Sequence, residues 1–379
     1  MRRLEDTMPK WIWQRRTWPR FSWDEAALAA SLARARLAQG RVLGAVGILD
    51  PALTNEAVAA VLVREGLATS AIEGERLDVN AVRSSVARHL GLPSAGLRAP
   101  SRSVDGLVDV LLDATRDYEA PLTLDRLCRW QAALFPTGQS GLRRIRTGAL
   151  RGKDPMRVVS QRAGRERVHF EAPARDRLER ELKRFLDWFA KPPSGLDGLL
   201  RAGLTHFWFV TLHPFEDGNG RIARALTDMA LAQDERQPQR FFSLSARIEQ
   251  ERTAYYDILE GTQRGDLEIT PWLSWFLEQT ATACASAEAT VSQVLAKARF
   301  WLRRQGANLN DRQRKALNRL LDSGPGGFEG GLTTRKYTSL THVSRATAYR
   351  ELSDLVSKGC LEAIGGGGRS SAYAIRWDA

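Results

Sequence analysis

Residues 213–224 of the 379-residue chain, HPFEDGNGRIAR, lie between two apolar runs with helical spacing, one over 199–212 and one from about 220. The pattern therefore predicts a loop that joins two helices. Gly218 and Gly220 lack a Cβ, so the backbone can approach a ligand closely here, and Asn219 is expected to cap the second helix. Because free N–H groups at the start of a helix bind phosphate, the stretch predicts a nucleotide site.

The side chains of the same stretch suit phosphate chemistry. Arg221 and Arg224 are three residues apart and share a helical face, where their guanidinium groups can bind phosphate oxygens. Asp217 is a candidate Mg²⁺ ligand, because Mg²⁺ takes one or two carboxylates together with phosphate oxygens. His213 titrates near neutral pH. Each residue also has a structural explanation, such as a turn or a surface ion pair, but their combined order and spacing favour the nucleotide site.

The stretch contains the complete signature HxFx(D/E)GNGRxxR and so resembles the Fic family of protein adenylyltransferases. The resemblance implies a mainly α-helical Fic bundle with a small β-hairpin flap. It also implies a reaction in which AMP moves from ATP, bound with Mg²⁺, to a Ser, Thr or Tyr hydroxyl of a target protein. The implied roles are general base for His213, buried loop anchor for Phe215, Mg²⁺ ligand for Asp217, anion hole for Gly218, Asn219 and Gly220, and clamps on the β- and γ-phosphates for Arg221 and Arg224.

Residues 69–74, TSAIEG, form a second and shorter pattern on the N-terminal side of the motif. They end a helix predicted from about residue 54 to Gly74. The segment fits the inhibitory motif of the family, (S/T)xxxE(G/N), which constrains only three positions. The resemblance implies that the Glu73 carboxylate captures the Arg224 guanidinium and inhibits the enzyme. An exposed glutamate at a helix end is the alternative.

The helical spacing is lost between residues 141 and 173. Residues 156–160 and 167–170 flank Ala163-Gly164, a pattern that predicts a β-hairpin. In isolation it is compatible with a surface ribbon, whereas in a Fic protein it resembles the flap that holds a target segment by strand addition. The resemblance assigns the flap to Val158, Val159 and Ser160, and adenine contacts, or equally a position in the core, to Tyr255 and Tyr256.

Tryptophans are concentrated near the N-terminus, at positions 11, 13, 18 and 23, among Arg15, Arg16 and Arg20. This composition favours an aromatic mini-core with stacked arginines over a partner-binding surface. The pattern also resembles the uncharacterised N-terminal domain that precedes many bacterial Fic domains. Asp24 is expected to cap a helix that ends at Gly40.

Short helices and a glycine-rich end follow residue 310. Helices are predicted over 312–321 and 333–340, and Ser344 is expected to cap a third helix that ends at Gly359. Strands over 360–364 and 372–375 then flank four glycines at 365–368, so the region resembles a winged helix-turn-helix domain with a glycine turn in the wing. The candidate contacts to DNA phosphates are Arg345, Arg350, Lys358 and Arg369, with protein binding as an equal alternative.

The composition limits the class of protein. The net charge of +12 and the pI near 10.1 favour an acidic partner, such as nucleic acid, a nucleotide or an acidic protein surface. From residue 300 onward, 13 Lys and Arg stand against 7 Asp and Glu, so the C-terminal region is basic. We expect a cytoplasmic protein, because the three cysteines are widely spaced and neither a signal-peptide pattern nor a membrane-spanning run is present.

We therefore expect an N-terminal helical domain with the inhibitory helix at 1–94, a Fic core at 95–290, and a linker helix with a winged helix at 291–379. The expected function is protein adenylylation inhibited by Glu73. The alternatives are a DNA-binding regulator that uses the Fic domain as a nucleotide sensor, and a Fic enzyme that removes AMP or transfers another nucleotide. The target protein, the modified hydroxyl and the oligomeric state, including a homodimer, stay open.

Overall fold

A computed structural model describes residues 9–47, 49, 51–92, 99–162, 165–321, 323, 330–364 and 372–377, including their side chains except those of 161, 162 and 165. It divides into two compact units. One extends to Gly44 and resumes over Val58–Ala287, and the other combines Ala45–Ala57 with Glu288–Ala379. The domain bounds predicted at residues 94 and 290 stay a prediction. Within the described residues, no helix combines the length and the apolar character needed to cross a lipid bilayer.

The predicted mainly helical fold is confirmed. A short 3-10 turn, Ile12–Gln14, comes first. The α-helices in chain order are α1 Glu25–Val46, α2 Pro51–Ile72, α3 Val79–His89, α4 Arg102–Arg116, α5 Leu124–Leu134, α6 Arg175–Ala190, α7 Gly198–Leu212, α8 Asn219–Glu235, α9 Leu244–Gln250, α10 Arg252–Arg264, α11 Thr270–Arg303, α12 Asp311–Leu321, α13 Thr334–Thr341 and α14 Arg345–Ser357. The strands are β1 Gln139–Ser140, β2 Arg143–Arg144, β3 Arg157–Arg162, β4 Arg165–Glu171, β5 Leu332–Thr333, β6 Leu361–Ile364 and β7 Ala372–Ile375.

Helices α7 and α8 form the centre of the first unit. Nearly every residue of α7 is buried, because its sequence is apolar all round rather than on one face. Asp197 caps its start by accepting hydrogen bonds from the N–H groups of Leu199, at 2.8 Å, and Leu200. Helix α8 packs along α7 and α4, and α4 packs on α5. The loop between α7 and α8 is therefore held at the end of a tightly packed helix pair.

Two long helices differ from their predicted bounds. Asp24 caps α1 by accepting from the Ala27 N–H at 3.0 Å, but the helix continues through Gly40. A glycine weakens a helix by only about 1 kcal/mol relative to alanine, which the neighbouring helix-forming residues outweigh. Helix α2 begins at Pro51, earlier than predicted, since proline is favoured at the first helical position.

Other elements were absent from the sequence prediction. These are α3 and the short strands β1, β2 and β5, which are too brief for a clear alternation of apolar and polar residues. Residues 244–264 form two helices, α9 and α10, rather than one, because Glu251 between them leaves helical geometry at φ −103° and ψ 29°.

The N-terminal tryptophans belong to the core of the first unit. Trp23 is partly exposed, whereas Trp11, Trp13 and Trp18 are buried. The Trp11 ring meets Phe170 edge-on at 5.3 Å, and the indole N–H of Trp13 donates to the Glu171 carbonyl at 2.7 Å. The aromatic core is thus shared with β4 rather than separate. In the described residues the cations that stack on these rings are Lys10, Arg177 and Arg264, not the interleaved Arg15, Arg16 and Arg20.

In the second unit, α12, α13 and α14 surround one apolar core with an antiparallel sheet of strand order β5–β7–β6. Ser344 caps α14 by accepting from the Thr347 N–H at 3.2 Å. The buried Tyr337 hydroxyl donates to Glu351 at 2.6 Å and ties α13 to α14. The winged helix stays a prediction, since its glycine turn at 365–368 and Arg369 lie outside the described residues, as does the flap turn Ala163-Gly164.

Candidate active site

The loop that joins α7 to α8 is fixed by an unusual backbone. His213 ends α7 in the left-handed region, at φ 49° and ψ 57°, directly before Pro214, which disfavours a further helical residue. Gly218 directly precedes the next helix and has φ 88°, a conformation that favours glycine, and a Cβ there would lie 2.9 Å from the Phe135 ring. The sequence of the loop therefore determines where one helix stops and the next one starts.

Asn219 does not cap α8, contrary to the prediction. It is the first residue of the helix, and Gly218 occupies the cap position without a side-chain hydrogen bond. The Asn219 amide instead folds back on Phe215, accepting from its N–H at 2.9 Å and donating to its carbonyl at 2.8 Å. Since the Phe215 ring is fully buried, the loop is anchored at both its side chain and its peptide group.

His213 is held as a neutral imidazole. Its Nδ1–H donates to the Val210 carbonyl at 3.1 Å, which leaves Nε2 as an acceptor. Burial lowers the pKa of His213, and the nearby Arg151 charge lowers it further, against the opposing effects of the Val210 hydrogen bond and the Glu73 and Asp217 carboxylates. A neutral imidazole with a free Nε2 is the form that can accept a proton at pH 7.

Arg224 is bound by the end of α2. Its Nη2 donates to Glu73 Oε1 at 2.7 Å and to the Thr69 carbonyl at 3.0 Å, and its Nε donates to Thr69 Oγ1 at 2.6 Å. The guanidinium is only 2% exposed, and among the described residues its Nη1 has no hydrogen-bond partner. Thr69 and Glu73, both in the 69–74 segment, therefore bind Arg224 of the 213–224 motif.

Arg221 is bound by Glu75, the residue after the 69–74 segment. Its Nη1 donates to Glu75 Oε2 at 3.3 Å, and the guanidinium lies over the Phe135 ring at 4.7 Å. The Glu73 carboxylate also lies against the start of α8, because a Cβ built on Gly220 would overlap it. The carboxylates of Glu73 and Glu75 thus contact Arg224, Arg221 and the start of α8.

Asp217 is oriented by two hydrogen bonds. Its Oδ1 accepts from the Gly218 N–H at 2.6 Å, and its Oδ2 accepts from the hydroxyl of Ser140 on β1. In the part of the chain that the structure describes, no group of three or more His, Cys, Asp or Glu side chains is placed to hold a metal ion. Sequence reasoning missed Ser140, which carries no local pattern.

Two tyrosines of α10 differ in their surroundings. Tyr255 is buried, and its hydroxyl pairs with Nε2 of His206 at 2.9 Å. Burial lowers the pKa of His206 to about 3, so this histidine is neutral and forms part of the buried core. Tyr256 is 39% exposed, and its hydroxyl donates to the Ile72 carbonyl at the end of α2, at 3.4 Å. Tyr255 thus has the core position that the sequence left open, while Tyr256 lies at the cavity surface.

The predicted hairpin is formed by β3 and β4, an antiparallel pair with an irregularity between Val158 and Val159. Val159 is 44% exposed. Ser160 pairs with Nε2 of His169 at 2.6 Å, and Nδ1 of His169 with the Glu260 carboxylate of α10 at 2.5 Å. The hairpin is therefore tied to α10, and within the described chain the other edge of β3 has no strand partner.

These elements enclose one cavity of about 1160 Å³. Arg221 and Arg224 are not among its lining residues, whereas the Glu73 carboxylate that binds Arg224 is. The predicted site residues that do line the cavity are Glu73, Val158, Val159, Ser160, His213, Asp217, Asn219, Gly220, Tyr255 and Tyr256.

Arg151 is a cavity residue that the sequence analysis did not single out. Its Nε donates to the His213 carbonyl at 2.9 Å, and its backbone N–H donates to the Pro214 carbonyl at 3.0 Å. Burial lowers its pKa to about 10, so it remains a cation at neutral pH. No local pattern distinguishes it from the arginines around it.

A proton acceptor and a helix start line one cavity, and two buried arginines lie on the helix that starts there. This arrangement on a helical domain is suited to phosphate transfer. Residues 121–231 match the Fic/DOC family model, and residues 11–92 match a domain of unknown function, DUF4172. The chain therefore carries a Fic/DOC domain, and the resemblance predicted from the motif is confirmed.

One named protein and two solved structures are similar to this chain. Over 96 residues the chain is 37% identical to the protein adenylyltransferase Fic of Nematostella vectensis, a match that covers 25% of this chain and 21% of the relative. A Fic family protein from Desulfovibrio desulfuricans G20 matches 92% of this chain and 95% of its own, with a TM-score of 0.53 at 19% identity. A Fic domain containing signaling protein from Bacteroides thetaiotaomicron matches 68% of this chain and 97% of its own, with a TM-score of 0.52 at 17% identity. The two structures establish the fold.

Proposed function

We propose that the Fic domain transfers AMP from ATP to a hydroxyl of a target protein, and that Glu73 inhibits it. The observation that carries the proposal is the cavity lined by both His213 and the start of α8, where the Glu73 carboxylate, which also lines the cavity, binds Arg224. The relative from Nematostella vectensis, named as a protein adenylyltransferase, supports the same reaction.

The residues present suit each part of the reaction. The target hydroxyl loses its proton to His213 Nε2 as its oxygen bonds to the α-phosphorus, and the bond from that phosphorus to the bridging oxygen of the β-phosphate breaks, so pyrophosphate leaves. The N–H groups at the start of α8 stabilise negative charge on the phosphates. Arg221 and Arg224 bind the β- and γ-phosphates once the carboxylates of Glu73 and Glu75 move away.

Mg²⁺ fits the site through Asp217. The carboxylate lines the cavity, and its oxygens keep lone pairs beyond the two hydrogen bonds that orient them. One protein carboxylate completed by phosphate oxygens is a usual arrangement for this ion. When bound, Mg²⁺ neutralises phosphate charge, and the task of Asp217 is to keep it beside the start of α8.

The target is proposed to bind as an extended segment along β3. Val158, Val159 and Ser160 line the cavity, and they lie on β3, which has no second strand partner among the described strands. A segment added to this edge would gain backbone hydrogen bonds and bring a Ser, Thr or Tyr hydroxyl towards His213.

Inhibition is proposed to be relieved at the Glu73 side chain rather than by release of the whole helix α2. Glu65, two turns earlier on α2, is buried and accepts hydrogen bonds from the Ser243 hydroxyl at 2.6 Å and the Ser245 N–H at 3.3 Å. Because loss of these buried contacts would be costly, α2 stays docked while the partly exposed Glu73 carboxylate moves.

Labelled ATP tests the proposal directly. Incubation with Mg²⁺ and ATP labelled on the α-phosphate is expected to label protein, either this chain or an acceptor in a cell extract, whereas ATP labelled on the γ-phosphate is not. Label from the γ-phosphate would contradict AMP transfer. Labelled GTP, CTP and UTP distinguish transfer of another nucleotide, and loss of label from a pre-modified acceptor measures AMP removal.

A DNA-binding regulator that uses the Fic domain as a nucleotide sensor is a second candidate, favoured by one observation on α14. The capped N-terminal half of this helix presents Arg345, Tyr349 and Arg350, all exposed, and Tyr349 is 63% exposed. Within the described residues neither arginine has an ion-pair partner. An exposed, capped helix start that carries two arginines without ion-pair partners among the described residues suits contacts to DNA phosphates.

Salt dependence tests this second candidate. Arg345→Ala and Arg350→Ala are each expected to weaken binding to a short random-sequence DNA duplex and to reduce the salt slope by about one, because each removes one phosphate contact. Arg319→Ala, an exposed arginine on α12, is the matched control for loss of one charge. Binding that is absent, or that does not depend on salt, would assign the second unit to protein recognition.

A further inference from the structure

We propose that Arg151 is a positioning residue for the general base, which holds the left-handed turn at His213 through hydrogen bonds to two consecutive carbonyl groups. The inference rests on the proposed role of His213 in AMP transfer and adds a residue outside the 213–224 motif. Arg151 lies 62 residues before His213 in the chain, in the segment between β2 and β3.

The contacts converge on the turn that carries the imidazole. The Nε of Arg151 donates to the His213 carbonyl at 2.9 Å, and its backbone N–H donates to the Pro214 carbonyl at 3.0 Å. Its Nη2 donates to the Pro173 carbonyl, so a further carbonyl group fixes the guanidinium itself. A histidine in the left-handed region is conformationally strained and needs surrounding contacts to persist, and these hydrogen bonds supply them.

Arg151 is also a buried cation without a carboxylate partner in the described residues. Its side chain is 2% exposed, and the hydrogen bonds of its guanidinium go to carbonyl groups. Arg175 donates to the Arg151 carbonyl at 2.9 Å and so adds a second positive charge nearby. Burial of an unpaired charge is costly. Because the Arg151 charge lies near the His213 imidazole, it lowers the pKa of that ring.

The positive charge of Arg151 opposes the effect of two carboxylates on the pKa of His213. Glu73 at the end of α2 and Asp217 in the loop both favour the protonated imidazole, as does the Val210 carbonyl, whereas burial and Arg151 favour the neutral one. Arg151 therefore helps to keep the base able to accept a proton.

Kinetics of Arg151→Met and Arg151→Lys test the positioning role, with Glu73→Gly as the common background and the acceptor identified by the α-phosphate assay. Arg151→Met is expected to lower kcat roughly 10- to 100-fold, since a misplaced base is costly, with a smaller change in KM for ATP. The acid limb of its pH profile moves to higher pH, because loss of the cation raises the pKa of His213. Arg151→Lys keeps the charge, so its acid limb stays near that of the parent while kcat remains lowered.

Arg201→Met is the matched control. Arg201 on α7 also donates to a backbone carbonyl, that of Phe189 at 2.9 Å, but lies about 18 Å along the helix from His213. It is expected to reduce thermal stability without moving the pH profile. An equal loss of kcat in Arg201→Met, or parental kcat in Arg151→Lys, would overturn the positioning role.

A titration of the histidine ring protons by NMR separates this inference from the proposed reaction. The chain has five histidines, and His213→Ala assigns the relevant resonance. The apparent pKa of His213 is expected to be higher in Arg151→Met than in the parent and near the parental one in Arg151→Lys. An unchanged titration in Arg151→Met would contradict the electrostatic role even if no transfer reaction were found. If Arg151→Met does not fold, the kcat of Arg151→Lys alone tests the positioning role: a lowered kcat supports it, and the parental kcat contradicts it.

Discussion

His213→Ala is expected to abolish detectable transfer of the α-phosphate label while ATP binding stays largely intact. The imidazole acts on the incoming hydroxyl and not on the nucleotide, so its loss removes proton transfer, a contribution of about 10²–10⁴-fold, without removing a phosphate contact. The rate of label incorporation and the ATP affinity from calorimetry measure the two effects separately.

The control is His342→Ala, which changes a histidine of the second unit outside the cavity. It should leave both measurements unchanged. Undiminished labelling by His213→Ala would refute its role as the base. Equal losses of labelling and ATP affinity would instead show that the substitution disturbs the loop anchored by Phe215.

Glu73→Gly is expected to raise labelling, because it removes the carboxylate that binds Arg224 Nη2 at 2.7 Å and covers the start of α8. A charge-assisted hydrogen bond contributes about 1.5–3 kcal/mol when sheltered, which corresponds to roughly a ten- to hundredfold change in the population of the productive ATP pose. Labelling at saturating ATP with a competent acceptor measures the gain.

The double variant identifies the path of the effect. If Glu73 acts through Arg224, the gain should vanish in an Arg224→Ala background, since the freed phosphate clamp is gone. Glu75→Ala is the matched comparison, and it should give a smaller gain because the Glu75 contact to Arg221 is longer, at 3.3 Å, and more exposed. Equal labelling by wild type and Glu73→Gly would remove the inhibitory assignment.

Much of the helical framework follows from local patterns. The apolar run before His213 predicts α7, and the Gly-Asn-Gly stretch predicts the start of α8, since backbone conformation and capping depend on neighbouring residues. Local patterns also misled at Gly40, where the surrounding helix formers extend α1, and at Asn219, where the buried peptide of Phe215 offers the amide better partners than the helix start does.

By itself the sequence determined the Fic motif, the chemistry of its side chains and the mainly helical fold, because each depends on spacing within a few turns of one chain segment. The tertiary structure alone decided which distant segments meet. Glu73 binds Arg224 across 151 residues, and Arg151 reaches the His213 carbonyl across 62. Periodicity defines the face that a helix buries but not its neighbour. The packing of α2 on α8, and of the segment before β3 on the 213–218 loop, therefore had to be seen in three dimensions.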